Sequence, residues 1–161
     1  MAIKAEFRVE GLERLQQKLL KRKEQLEKVL DMKLMQLAEE AVSHAKHNKG
    51  YKDRTANLKN SISFALFHDG ELVTMNVGQI PKPEESSKGQ EGVQSALETY
   101  SNEPGVVAPK GYSLVIVAGM EYGVYVEHRG YNVLHLTKYF LRDEMRAILE
   151  ETINDIDKGT V

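Results

Sequence analysis

The stretch "SISFALFHDGELVTMNVG", residues 61–78, decides the class of fold. Two runs rich in β-branched and aromatic residues flank His68-Asp69-Gly70, and an Asp-Gly pair between such runs marks a tight β-hairpin turn. The spacing predicts an antiparallel hairpin near the centre of the chain.

Upstream of the hairpin, apolar residues recur at Leu12, Leu15, Leu19, Leu26, Leu30, Leu34, Leu37, Ala41 and Ala45, with no Pro or Gly before Gly50. Nine turns at about 3.67 residues each fit a straight α-helix better than the 3.5 repeat of a coiled coil. At roughly 1.5 Å per residue this helix is about 50 Å long, more than a domain of this size needs for its own core, so part of it is expected to meet a partner. The half "QQKLLKRKEQLEK" is dense in charge; "MKLMQLAEEAVSHA" is the better core segment. Ahead of the helix, Ile3, Ala5, Phe7 and Val9 alternate with charged residues, which predicts a strand up to Gly11. Behind it, Asp53 or Thr55 is expected to cap a short turn.

Downstream, residues 79–110 hold all four prolines and the polar run "PEESSKGQEG", which reads as a flexible loop or insertion with "GVQSALETYS" its only stretch suited to a short helix. "YSLVIVAG" returns to strand character and is dense enough for a central strand. "YGVYVEHRGYNVL" is either strand or a short helical turn. Leu141, Met145, Ile148, Thr152 and Ile156 form one face of a final helix from about Leu136 to Ile156. The order implies one α+β domain over 1–161, a mostly antiparallel sheet covered on one face by the long N-terminal helix and the C-terminal helix.

Composition narrows the function. The chain has 161 residues and 22 Lys+Arg against 24 Asp+Glu, a net charge of -2, so it lacks the global basic field that coats DNA. Without cysteine there is no disulfide, thiol catalysis or thiolate metal site. No apolar run reaches the length of a signal peptide or a membrane span, and the chain is expected to be soluble and not exported. His44 and His47 sit at i and i+3, but no third ligand follows at a metal-binding spacing. The serines form no Gly-x-Ser-x-Gly elbow and the glycines no phosphate-binding loop. Glu127-His128-Arg129 is the most enzyme-like cluster; on a strand, Glu127 and His128 would point to opposite faces. The basic run Lys18, Lys21, Arg22, Lys23 and Lys28 is interleaved with Glu24 and Glu27 and lacks aromatics, which reads as a solvated helix face.

Four pieces occur in a telling order: "FRVEGLERLQQKL", "DRTANLKNSI", "VIVAGMEYGVYVE" and the terminal amphipathic helix. Together they resemble the HK97 gp10-like family of phage tail components, the head-tail neck or tail completion proteins. Gly11, Leu12 and Leu15 resemble the family's passage from strand to helix. Arg54, Thr55, Asn57, Leu58, Ser61 and Ile62 follow its Arg-Thr-Gly-x-Leu-x-x-Ser-Ile pattern, with Ala56 where glycine is usual. Gly119, Tyr122, Tyr125, Val126 and Glu127 follow its Gly-x-x-Tyr-x-x-Tyr-Val-Glu segment, after which His128-Arg129-Gly130 replaces the usual Gly-Thr.

The resemblance implies a non-enzymatic structural protein of a tailed phage or prophage, acting in head-tail joining or tail completion. It implies assembly with itself as a ring and with neighbouring virion proteins, in the virion and, during assembly, in the host cytoplasm. No catalytic residue, cofactor, metal, membrane or specific nucleic acid is expected. Interface residues are expected at Arg54, Asn57, Tyr125, Glu127, His128 and Arg129, and the 79–110 segment is expected to order against a neighbour. The competing readings are a small hydrolase-like enzyme using Glu127 and His128, and a nucleic-acid-binding adaptor using the Lys18 to Lys28 face.

Overall fold

A computed structural model describes residues 11–52, 56–76 and 83–159. The strand expected over Ile3 to Val9, the capping candidates Asp53 and Thr55, and Arg54 lie outside the described residues.

The periodic leucines form helix α1, Leu12–His47, which ends where Asn48 returns both its backbone N–H and its side-chain amide to the His44 carbonyl. A short helix α2, Asn57–Asn60, leads into β1, Ile62–His68, and β2, Glu71–Asn76, completes the hairpin. The turn has positive φ at both Asp69 (51°) and Gly70 (84°), the pair of values a two-residue hairpin of matching twist requires. Asp69 also binds the start of the next strand, its N–H donating to the Gly111 carbonyl and its carboxylate accepting from the Gly111 N–H.

Residues 79–110 depart from the loop expected there, because Pro83–Ser101 is a 19-residue helix, α3. Val93 and Leu97, one turn apart, are buried with Ala65, Phe67 and Val117 on one face of the sheet. Strand β3, Tyr112–Ala118, pairs antiparallel with β1 throughout, Ile62 opposite Ala118 and His68 opposite Tyr112. The order is β2-β1-β3, so β1, not β3, is the central strand. Helices α4, Gly123–His128, and α5, His135–Asp157, follow.

Alternation along β1 assigns the two faces. Ile62, Phe64 and Leu66 point towards α1, where Ala38, Val42 and Ala45 let the helix approach closely and Leu34 and Leu37 fill the far end. Helix α5 lies beside α1, adding Leu141, Met145 and Ile148 to that layer and pairing Glu151 with Lys33 at 2.9 Å. Helices α1 and α5 thus cover one face as expected, while α3, unforeseen as a structural layer, covers the other.

Among the described residues, the sheet-facing side of α1 is occupied only in its C-terminal half. All residues from Gly11 to Gln25 are exposed, so the first three to four turns extend beyond the domain.

Candidate interaction site around α4

Residues 57–62 and the segment that runs from the end of β3 into α4 meet in space. The Gly119 N–H donates to the Ser61 carbonyl at 3.0 Å, and a Cβ on Gly123 would lie 3.0 Å from Leu58 Cδ1. Helix α3 seals this junction from the other side, its backbone at Gly92 and Val93 so close to Gly119 that a Cβ on either glycine would overlap the other's backbone. Ala56, in the position where the pattern has glycine, adopts φ 56°, a left-handed conformation that glycine enters freely and alanine at a cost of roughly 1 kcal/mol. The start of α2 thus requires a backbone conformation that glycine would adopt more readily.

The stretch "YGVYVEHRG" folds around the short helix α4, which ends at a glycine stop. Gly130 (φ 81°) follows Arg129 as the left-handed stop of α4, with the Tyr131 N–H bonded to the Val126 carbonyl and the Gly130 N–H to that of Glu127, a Schellman motif. Being helical rather than extended, α4 places Glu127 and His128 on the same cleft instead of on opposite faces.

Glu127 is already engaged there. Its Oε2 accepts the backbone N–H groups of Val133 (2.9 Å) and Leu134 (2.8 Å), and its Oε1 accepts that of His135 (3.3 Å). Two of these, the N–H groups of Leu134 and His135, are donors at the start of α5 that no carbonyl within the helix can accept, and its N-cap residue, Leu134, supplies no side-chain cap. A carboxylate facing a helix N-terminus is favourably placed, so Glu127 fastens α4 to α5. Asn132 works beside it: its Oδ1 accepts from the Leu136 N–H, its Nδ2 donates to the Asn48 carbonyl, and its own carbonyl accepts the Gly50 N–H.

Two clefts flank α4. One, of about 480 Å³, runs along the outer edge of β3, with Tyr100, Glu127, His128, His135 and Lys138 as its charged or titratable residues and Val115 to Ala118 as its floor. The outer edge of β3 has no strand partner among the described residues. The other cleft, of about 640 Å³, gathers Tyr51, Tyr122, Tyr125 and Tyr131 with Lys52 and Arg129. Tyr125 is 72% exposed, the most exposed of the large apolar or aromatic side chains among the described residues. The Tyr51 hydroxyl is buried without a protein partner among the described residues, and burial first, then Tyr122 and Glu127, push its pKa up to about 12. Tyrosine and arginine together are the residue types enriched where partners bind tightly.

The expected interface residues are therefore divided. Tyr125 and Arg129 share the tyrosine cleft, Glu127 and His128 share the β3-edge cleft, and Asn57 lies at the start of α2 with its Oδ1 buried and unpartnered among the described residues. Sequence reasoning missed Tyr51, Tyr122 and Tyr131 as companions of Tyr125, since nothing in their spacing shows that α1's end folds back against α4. The histidine pair of α1 is dispersed: His44 bonds to Thr137 and stacks on Phe140 at 4.6 Å, and His47 Nδ1 donates to the Ser43 carbonyl. Among the described residues no group of three or more acidic or histidine side chains is placed to hold a metal, and no helix is long and apolar enough to cross a membrane. Comparison with family models, curated proteins and solved structures finds no match to this chain.

Proposed function

We propose that this chain is a structural subunit of a tailed phage or prophage, acting in head-tail joining or tail completion by assembling with itself and with neighbouring virion proteins. The observation that carries the reading is the convergence of the two resembling stretches: Leu58, Ser61 and Ile62 pack on Ala118, Gly119 and Gly123 as one unit, with Glu127 anchoring the helix that follows. Glu127, part of the most enzyme-like cluster in the sequence, ties α4 to the start of α5, while the tyrosine cleft and the projecting part of α1 offer surfaces in excess of what one subunit uses. The virion, and the host cytoplasm during assembly, is the matching location. The test is genetic: in the phage or prophage carrying it, deletion of this chain leaves heads and tails unjoined or tails unfinished, and normal infectious particles from the deletion would refute the reading.

A second reading, a small hydrolase, is favoured by one observation, the shared cleft of Glu127 and His128. It predicts turnover of an ester or amide substrate that disappears in His128→Ala while the fold is retained.

A further inference from the structure

The side of α1 that buries the core continues beyond the domain, where no other described residue covers it. Leu12, Leu15 and Leu19 extend the same stripe as Leu34 and Leu37, yet they are 50%, 54% and 59% exposed. Between Leu12 and Lys23 this projecting helix carries five cations and one carboxylate.

A complementary surface stands on α5. Beside its buried stripe, Leu149, Ile153 and Ile156 fall at helical spacing and are 49%, 57% and 46% exposed. The surrounding stretch, Asp143 to Asp157, carries six carboxylates and one arginine. Within the subunit Glu151 and Asp155 reach Lys33, and Asp143 reaches its neighbour Arg142.

Within one subunit the two cannot meet. The Lys33 contacts put Ile153 about level with residue 33 of α1, and Leu19 lies 14 residues further along a straight helix, about 21 Å away. We infer that the projecting N-terminal turns of α1 dock on the exposed apolar stripe of α5 in a second copy of this chain, leucines against Leu149, Ile153 and Ile156, with the basic flank of one helix facing the acidic flank of the other. An apolar seam between oppositely charged flanks sets both the affinity and the choice of partner. Because the two surfaces differ, each subunit keeps one of each, and the contact either closes reciprocally in a pair or passes from subunit to subunit around a ring. The inference rests on the self-assembly part of the proposed function and names the surfaces that perform it.

The absence of cysteine gives a clean test. Leu19→Cys and Ile153→Cys are prepared as separate proteins, mixed, and oxidised mildly, and disulfide-linked dimer is measured beside light-scattering mass. The expected result is linked dimer in the mixture at several-fold the yield of either variant alone, with the yield falling when Leu15→Asp is added to the Leu19→Cys chain. Equal linkage by Leu19→Cys alone would mean that projecting helices pair with one another, and would overturn the inference. Assemblies without linkage would also overturn it while leaving self-assembly intact on another surface; a chain that stays monomeric would remove both. Retention of duplex DNA by the projecting helix, salt-sensitive and unaffected by Leu15→Asp, with no linkage, would assign that surface to nucleic acid instead.

Discussion

Removing the Glu127 carboxylate tests whether this residue is architectural. In Glu127→Ala, the N–H groups of Val133 and Leu134 lose bonds of 2.9 and 2.8 Å, and that of His135 loses a longer one. At about 1 kcal/mol for each of the two short bonds, and about 1 more for the long bond and the charge at the helix N-terminus, the loss is about 3 kcal/mol. For a chain of this size about 2–4 °C accompanies each kcal/mol, so thermal unfolding followed by circular dichroism should shift down by about 6–12 °C. Glu127→Gln keeps one carbonyl oxygen in place of Oε2 and should lose only about 1 kcal/mol. A Glu127→Ala protein within about 0.5 kcal/mol of the parent would refute the argument, since a group making no contribution to stability is not holding α4 to α5.

Three further outcomes follow from single positions. Ala56→Gly relieves the left-handed strain at φ 56° and should raise stability by about 1 kcal/mol in urea unfolding, the reverse of the usual sign for such a change. Gly119→Ala forces a Cβ into the backbone of Gly92 and Val93 and should cost about 3 kcal/mol, and the loss in the Gly92→Ala, Gly119→Ala double variant should be less than the sum because both relieve the same crossing. Tyr51 has its pKa raised from 10.0 to about 12, so the fold favours the neutral phenol: its contribution is intact below pH 10 and lost as pH rises towards 12. Tyr51→Phe should therefore be as stable as the parent at pH 8, and its melting temperature should fall less steeply between pH 10 and 12.

Elements with a long repeating pattern were readable from the chain. The nine-turn leucine period gave α1 to within two residues of its C-terminal end, and Asp69-Gly70 fixed the hairpin because few residues tolerate two successive positive φ values. The second half of α3 was legible as the short helical stretch 92–101, which carries Val93, Ala96 and Leu97 against the sheet, but the polar, glycine-containing sequence before it shows no apolar period that would extend the helix back to Pro83. The apolar density of β3 was misread as a central position. It reflects instead cover on both faces, Leu114 and Ile116 towards α1 and Val115 and Val117 towards α3, at a strand with one edge unpaired among the described residues. Helix α4 has six residues, less than two turns, and its one clear signal was Gly130 as a helix stop. Of the site, the glycines and Glu127 were legible as parts of a pattern, but the use of the carboxylate was not, because it depends on Val133 and Leu134 returning to α4 through a turn.

Self-assembly is the central claim, and the mass of the parent chain in solution tests it most directly. Light scattering over a rising concentration series should show weights at multiples of 18.2 kDa, with larger species favoured at higher concentration and reduced by salt where charged flanks contribute. A weight fixed at 18.2 kDa at every concentration and at low salt would contradict the account.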